Sequence, residues 1–228
     1  MRSGGGGRES WSYQGQDRFV LDVLGELRDG FFVDSGASNG TKGSNTHLLE
    51  QRYGWRGICV EPNERMYREL VRDRRCVCVN CCLYDRNGPV DLVEAAGVYG
   101  GILEEYDDRQ LASVRQMFGW SGATPPTVTK PGRTLQSILD EARAPAVIDY
   151  WSLDTEGSEL AILKSFPFDR YRFRVLTVEH NHGPAREELR TFLETRGYSR
   201  ARSLGIDDGY ISNDESPGHW RSHAWRRI

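Results

Sequence analysis

The sequence predicts a single α/β domain built on a mostly parallel sheet with helices on its faces. Three observations carry this. Strand-like and helix-like apolar patterns alternate along the chain, which is the signature of strand–helix–strand units. A buried-strand pattern, Phe31–Ser35, turns abruptly into the glycine-containing run Gly36-Ala37-Ser38-Asn39-Gly40. The confidently predicted strands end on an acid or an amide. Ligands bind such sheets at the carboxyl ends of the strands, so these ends define the expected site.

The elements follow in order. Phe19, Val20, Val23, Leu24 and Leu27 form the apolar face of a first helix, which Gly30 closes. The strand Phe31–Ser35 leads through the glycine turn to a helix over Ser44–Tyr53, stopped at Gly54. A second strand, Gly57–Val60, ends on Glu61. Pro62 and Asn63 open a helix with Met66, Tyr67, Leu70 and Val71 at helical spacing. The stretch Arg75–Leu83 reads as a third buried strand with Asn80 at its end. Pro89–Glu94 suggests an extra strand. The long segment 97–131 suggests a lid or substrate insertion. Leu135, Ile138 and Leu139 mark a short helix, and Val147–Leu153 a strand ending in Asp154-Thr155-Glu156-Gly157-Ser158-Glu159. A helix with Leu160, Ile162, Leu163 and Phe166 follows. Val175–Val178 then ends on Glu179-His180-Asn181-His182. A helix with Leu189, Phe192 and Leu193, and two short strands near Arg200–Leu204 and Tyr210–Ser212, complete the pattern.

Composition limits function. The chain has 228 residues, 28% of them charged, and a net charge of −3, which argues against a general nucleic-acid binder. No apolar run is long enough for a membrane span. Met1–Ser10, with four successive glycines, reads as a flexible tail, and 11–228 as one domain. Four of the five cysteines crowd into Cys76, Cys78, Cys81 and Cys82. On one strand their sulfurs would diverge, so they read as small core residues rather than zinc ligands. Free thiols suit a reducing cytoplasm.

The glycine turn selects the cofactor. A dinucleotide turn reads G-x-G-x-x-G. Here the middle glycine is absent and Asp34 precedes the first. A carboxylate there suits a cationic ligand end, such as the amino group of S-adenosylmethionine, better than a pyrophosphate. Glu61, ending the second strand, is placed to accept ribose hydroxyls.

Several stretches resemble the FkbM-type methyltransferases. They are Tyr13-Gln14-Gly15-Gln16-Asp17, Phe32-Val33-Asp34-Ser35-Gly36-Ala37 to Gly40, Val60-Glu61-Pro62, Leu153–Glu159 and Val178-Glu179. The family's usual Ser-Gln opening of the first stretch is interrupted by Tyr13. The resemblance implies a Rossmann-like class I methyltransferase fold with seven strands, and methyl transfer from S-adenosylmethionine, typically to a hydroxyl. By position it implies a cofactor site of Gln16, Asp34, Gly36, Ser38, Gly40, Glu61, Pro62 and Asp154, with Asn80 and Cys81 flanking the adenine.

A hydroxyl acceptor must lose a proton. Asp154, Glu156, Glu179 and His180 are the candidate catalytic groups. Asp154, Glu179 and Asn181 offer hard oxygens for Mg²⁺ or another divalent cation. Trp11, Tyr13 and Trp220 are candidates to line an acceptor pocket. The expected acceptor is a small molecule, saccharide or peptide, with no nucleic acid or membrane partner and room for a homodimer. Two other classes fit the sheet: an NAD-dependent oxidoreductase, against which the missing glycine speaks, and a non-catalytic binding module, against which the strand-end acids speak.

Overall fold

The computed structural model describes residues 9–122, 124–183 and 185–214; the first eight residues of the expected tail, and Trp220, lie outside them. The main sheet has seven strands: β1 (Phe31–Ser35), β2 (Arg56–Val60), β3 (Val77–Val79), β7 (Val147–Leu153), β8 (Arg172–Glu179), β9 (Tyr198–Leu204) and β10 (Asp207–Ser212). Their order is β3-β2-β1-β7-β8-β10-β9. Every pairing in it is parallel except those of β10, which runs antiparallel to both neighbours. This is the mostly parallel, seven-stranded sheet with helices on both faces that was expected.

Alternation along β1 divides the interior. Phe32 faces one core with the helices α1 (Gln16–Val23), α2 (His47–Tyr53) and α3 (Glu64–Asp73). Val33 faces the other with α5 (Leu135–Glu141), α6 (Glu159–Ser165) and α7 (Ala185–Thr195). Both are fully buried, as period-two alternation requires when each face of a sheet is covered. The helices start on local signals. Asn63 accepts the N–H groups of Arg65 and Met66 at the head of α3, and Thr134 accepts that of Ser137 at α5. Gly54, in the left-handed region, ends α2.

Three expectations are corrected. The first helix stops at Val23 rather than reaching Gly30, because Gly25, Glu26 and Asp29 all take positive φ. The helix after the glycine turn starts at His47, since Asn39 and Ser44 side chains hold residues 41–47 in turns. The cysteine-rich stretch is not one buried strand. β3 lies at the sheet edge with Val77 half exposed. The chain then breaks at Asn80-Cys81, and β4 (Cys82–Leu83) joins a second sheet, ordered β4-β6-β5, with β5 (Gly88–Leu92) and β6 (Val128–Arg133). The segment 97–131 holds two short 3-10 turns and α4 (Asp108–Phe118), started by a reciprocal Asp107–Gln110 capping box. No described helix is long and apolar enough to cross a membrane.

Candidate active site

The sheet order reverses between β1 and β7. A cavity of about 530 Å³ opens there, at the carboxyl ends of the strands. Its size suits a ligand of drug or nucleoside scale. Asp34, Gly36, Ser38, Glu61, Pro62, Asp154, Glu156 and Glu179 all line it, so the strand-end acids converge as expected.

Gly36 is the hinge of the site. It has φ +82°, and a Cβ on it would stand 1.7 Å from the Asp154 carbonyl oxygen. No other residue lets β1 and β7 approach so closely while their ends splay into the cavity. Its N–H and that of Ala37 both donate to the Val60 carbonyl, at 3.0 and 3.1 Å, tying the turn to β2.

Asp34 is buried, and its Oδ2 accepts the Thr46 hydroxyl at 2.6 Å. Thr46 in turn accepts from Arg74 Nη2 at 2.9 Å. Arg74 also donates to the Gly40 carbonyl at 3.0 Å and pairs with the buried Glu50. Burial pushes the Asp34 carboxyl up, while the Arg74 charge and the Thr46 hydroxyl oppose it. Glu61 is held by two backbone donors, Ser38 N–H on Oε2 and Asn63 N–H on Oε1, both at 2.7 Å. Each oxygen keeps a further lone pair, the pattern a vicinal diol would meet. Burial raises this carboxyl to about 7.

Asp154, Glu156 and Glu179 each bring a carboxylate oxygen within 4.8 Å of the others. Glu179 is only 2% exposed, and its Oε2 has no hydrogen-bond partner among the described residues. Burial first, and repulsion from neighbouring carboxylates next, raise all three; for Glu156, which reaches about 8, the neighbour is Glu159. Carboxylates this close disfavour one another's ionisation, so their titrations are linked. Glu156 sits at φ 59°, a strained backbone for a glutamate. Glu159 is structural: it clamps the loop by accepting the Thr155 and Gly157 N–H groups at 2.6 and 3.1 Å.

The other predicted site residues stand off the cavity wall. Gln16 donates to Asp207 at 2.6 Å, beside the β8 end. Gly40 makes room for α3, since a Cβ there would strike Leu70 and Arg74. Asn80 uses its amide on the Glu61 and Pro62 carbonyls, fixing the β2–α3 turn. Cys81 points into the main core, and Cys82 and Leu83 line the cavity in its place. His180 turns away from the acids: its Nδ1 accepts the His182 N–H at 3.0 Å and its Nε2 is 3.7 Å from Asp208. Asn181 bonds to Glu156 at the edge of the acid group.

Of the aromatics, Tyr13 lines the cavity, whereas Trp11 packs at a tilt against His47 with ring centroids 4.9 Å apart. Lys42, Arg65, Met66 and Leu92 also line the cavity and carry no local sequence signal, whereas Gly97–Ile102, which line it too, fall in the segment expected to form a lid or substrate insertion.

The parallel sheet, its switch-point cavity and its strand-end carboxylates define a class I methyltransferase fold. The Methyltransferase FkbM domain profile matches residues 34–200, and the chain belongs to that family. Methyltransferase FkbM from Methylobacillus flagellatus KT is similar in structure at 17% identity and a TM-score of 0.50, over 80% of this chain and 43% of that one. This chain thus spans less than half the length of that protein. The N-terminal domain of human METTL16, in complex with SAH, aligns at 13% identity and a TM-score of 0.46, over 87% of this chain and 68% of that one. No curated protein matches the sequence.

Proposed function

We propose that the chain is an S-adenosylmethionine-dependent methyltransferase acting on a hydroxyl of a small-molecule, saccharide or peptide acceptor. The observation that carries this is the pairing of Asp34 and Glu61 on one cavity wall. One buried acid suits the cationic amino-acid end, and the other, oriented by two backbone N–H groups, suits the ribose. Membership of the FkbM family supports the same reading.

In the reaction the acceptor oxygen attacks the methyl carbon from about 3 Å, in line with the breaking carbon–sulfur bond. Bound S-adenosylmethionine would supply the methyl group and a neutral sulfide leaving group, and a carboxylate would take the acceptor proton. The Asp154–Glu156–Glu179 group supports this step, because a base titrating near working pH is best matched to it. Gly97–Ile102 lines the same cavity, with Gly101 packed against Glu156, and this is the side to which the acceptor is assigned.

Calorimetry with S-adenosylmethionine and with NAD tests the cofactor. Heat and a thermal shift with the first alone are expected, and their absence would end this reading. A product one methylene heavier, lost in Asp154→Asn with cofactor affinity kept, tests the chemistry. A second reading, Mg²⁺ held by these carboxylates, is favoured by the proximity of three carboxylate oxygens and the unpartnered Glu179 Oε2. It predicts a Mg²⁺-dependent thermal shift absent from Glu179→Gln.

A further inference from the structure

Cys59 and Cys76 meet on the α1–α3 side of the main sheet, outside the cavity. Their sulfurs lie 3.4 Å apart. Cys59 is fully buried in β2, two residues before Glu61, while Cys76 is partly exposed just before β3. Neither thiol has a part in the methyl transfer described above. Their surroundings are unlike those of an inert core pair. The Cys59 thiol's hydrogen bond, then that of Cys78, hold the Cys76 thiol well below its ordinary range, and the nearby Arg74 charge adds to this. A thiolate that solvent can reach is the reactive form of cysteine.

The backbone on which Cys76 sits is also the one that holds Asp34. A single carboxylate, Glu50, accepts the Arg75 and Cys76 N–H groups at 2.9 and 2.8 Å on Oε1 and pairs with Arg74 through Oε2. Arg74 continues to Thr46, and Thr46 to Asp34.

We propose that Cys59 and Cys76 are a reversible oxidation site whose disulfide, closed by hydrogen peroxide, loosens the seat of Asp34. The Cys76 thiolate attacks one peroxide oxygen. The O–O bond breaks, leaving a sulfenic acid and hydroxide. The Cys59 sulfur then attacks the sulfenic sulfur, the S–S bond forms, and water leaves with the Cys59 proton. The two thiols supply the two electrons that reduce the peroxide. A disulfide needs its sulfurs about 2 Å apart, so they must close by more than an ångström. Cys59 is locked inside the sheet, and Cys76 therefore does the moving. Its shift drags the Glu50 tie and with it the Arg74–Thr46–Asp34 relay.

The bridge stands on the 3.4 Å sulfur contact and the Cys76 thiolate, independent of any cofactor; its effect on the cofactor rests on the function proposed above. The test treats the full chain with hydrogen peroxide, then reads intact mass, peptide map and S-adenosylhomocysteine affinity. Expected are the loss of two hydrogen masses, a Cys59–Cys76 cross-linked peptide, and affinity weakened about tenfold, all reversed by dithiothreitol. Cys76→Ser abolishes all three, and Cys78→Ser keeps them. An unchanged mass, a bridge through Cys78, or an oxidised chain that binds as tightly as the reduced one would each overturn the proposal. If the reduced chain binds no S-adenosylhomocysteine, the cofactor reading and the coupling fail together, while mass and mapping still decide the bridge.

Discussion

Glu156→Gln should make the protein more stable at pH 8 while slowing its reaction. Glu156 is raised from 4.5 to about 8, first by burial and then by the nearby Glu159 charge, against a favourable bond from Asn181. An acid raised on folding binds its proton more tightly in the folded state. Below pH 4.5 it is protonated folded and unfolded alike and costs nothing. As pH rises from about 4.5 to 8, the unfolded chain releases the proton first, and stability falls across that window. The full shift corresponds to an upper bound of about 5 kcal/mol. Glu156 is partly open to solvent and shares its charge with neighbours, so a realistic share is about 1–2 kcal/mol. Gln removes that penalty and keeps the Asn181 bond. In a chain of this size the gain is about 3–6 °C in Tm. Thermal melts of both proteins at pH 5 and pH 8 read it directly. The variants should coincide at pH 5 and separate at pH 8, with wild type the lower. Equal separation at both pH values, or melts that coincide at pH 8, would refute the reasoning. Turnover of Glu156→Gln should fall, the usual cost of relieving repulsion in an active site.

Three further perturbations probe other parts of the site. Glu61→Gln turns one oxygen into a donor facing a backbone N–H, so S-adenosylhomocysteine affinity by calorimetry should fall about 10- to 100-fold. An unchanged affinity would remove Glu61 from the ribose. Gly36→Ala drives a methyl into the Asp154 carbonyl, at a cost of about 3 kcal/mol or more in denaturant melts. A variant as stable as wild type would mean that β1 and β7 are not so closely joined. Arg74→Met leaves Glu50 buried without its partner and should cost about 3–5 kcal/mol in the same melts. Glu50→Gln with Arg74→Met should recover part of that loss.

What the sequence made legible was local. The strands Phe31–Ser35 and Val147–Leu153 appear with their expected boundaries, and the carboxylates at the strand ends meet in one cavity. Period and turn chemistry fix such features within a few residues. What it hid was long-range. Cys82 and Leu83 leave the main sheet because they pair with Gly132 and Arg133, some fifty residues on, a choice no local pattern records. Gly40 looked like a ligand glycine, yet it makes room for Arg74, which a turn motif does not display. Two further misreadings were of direction. His180 lies just past the end of β8 and faces Asp208 rather than the acids. Cys81 sits in the break between β3 and β4 and packs into the core, while Cys82 lines the cavity.

The two walls of the cavity belong to different structures. Asp34, Gly36 and Glu61 come from the large sheet, whereas Leu92 and Gly97–Ile102 hang from the small one. The large-sheet wall is locked by the Gly36–Asp154 approach and by the Arg74 relay, where drift is punished. The opposite wall is held by the Tyr106 hydroxyl, which accepts the Gly101 N–H and donates to the Tyr99 carbonyl at 2.7 and 2.6 Å, by the Val93 N–H on the Gly101 carbonyl and by a Leu92–Ile102 bridge. Gly100 and Gly101 are fixed there, since a Cβ would strike Val93 and Glu156, but the exposed Val98 and Tyr99 can change without threatening the rest of the fold. A lineage built on this plan can keep one donor pocket unchanged while descendants diverge in what they modify.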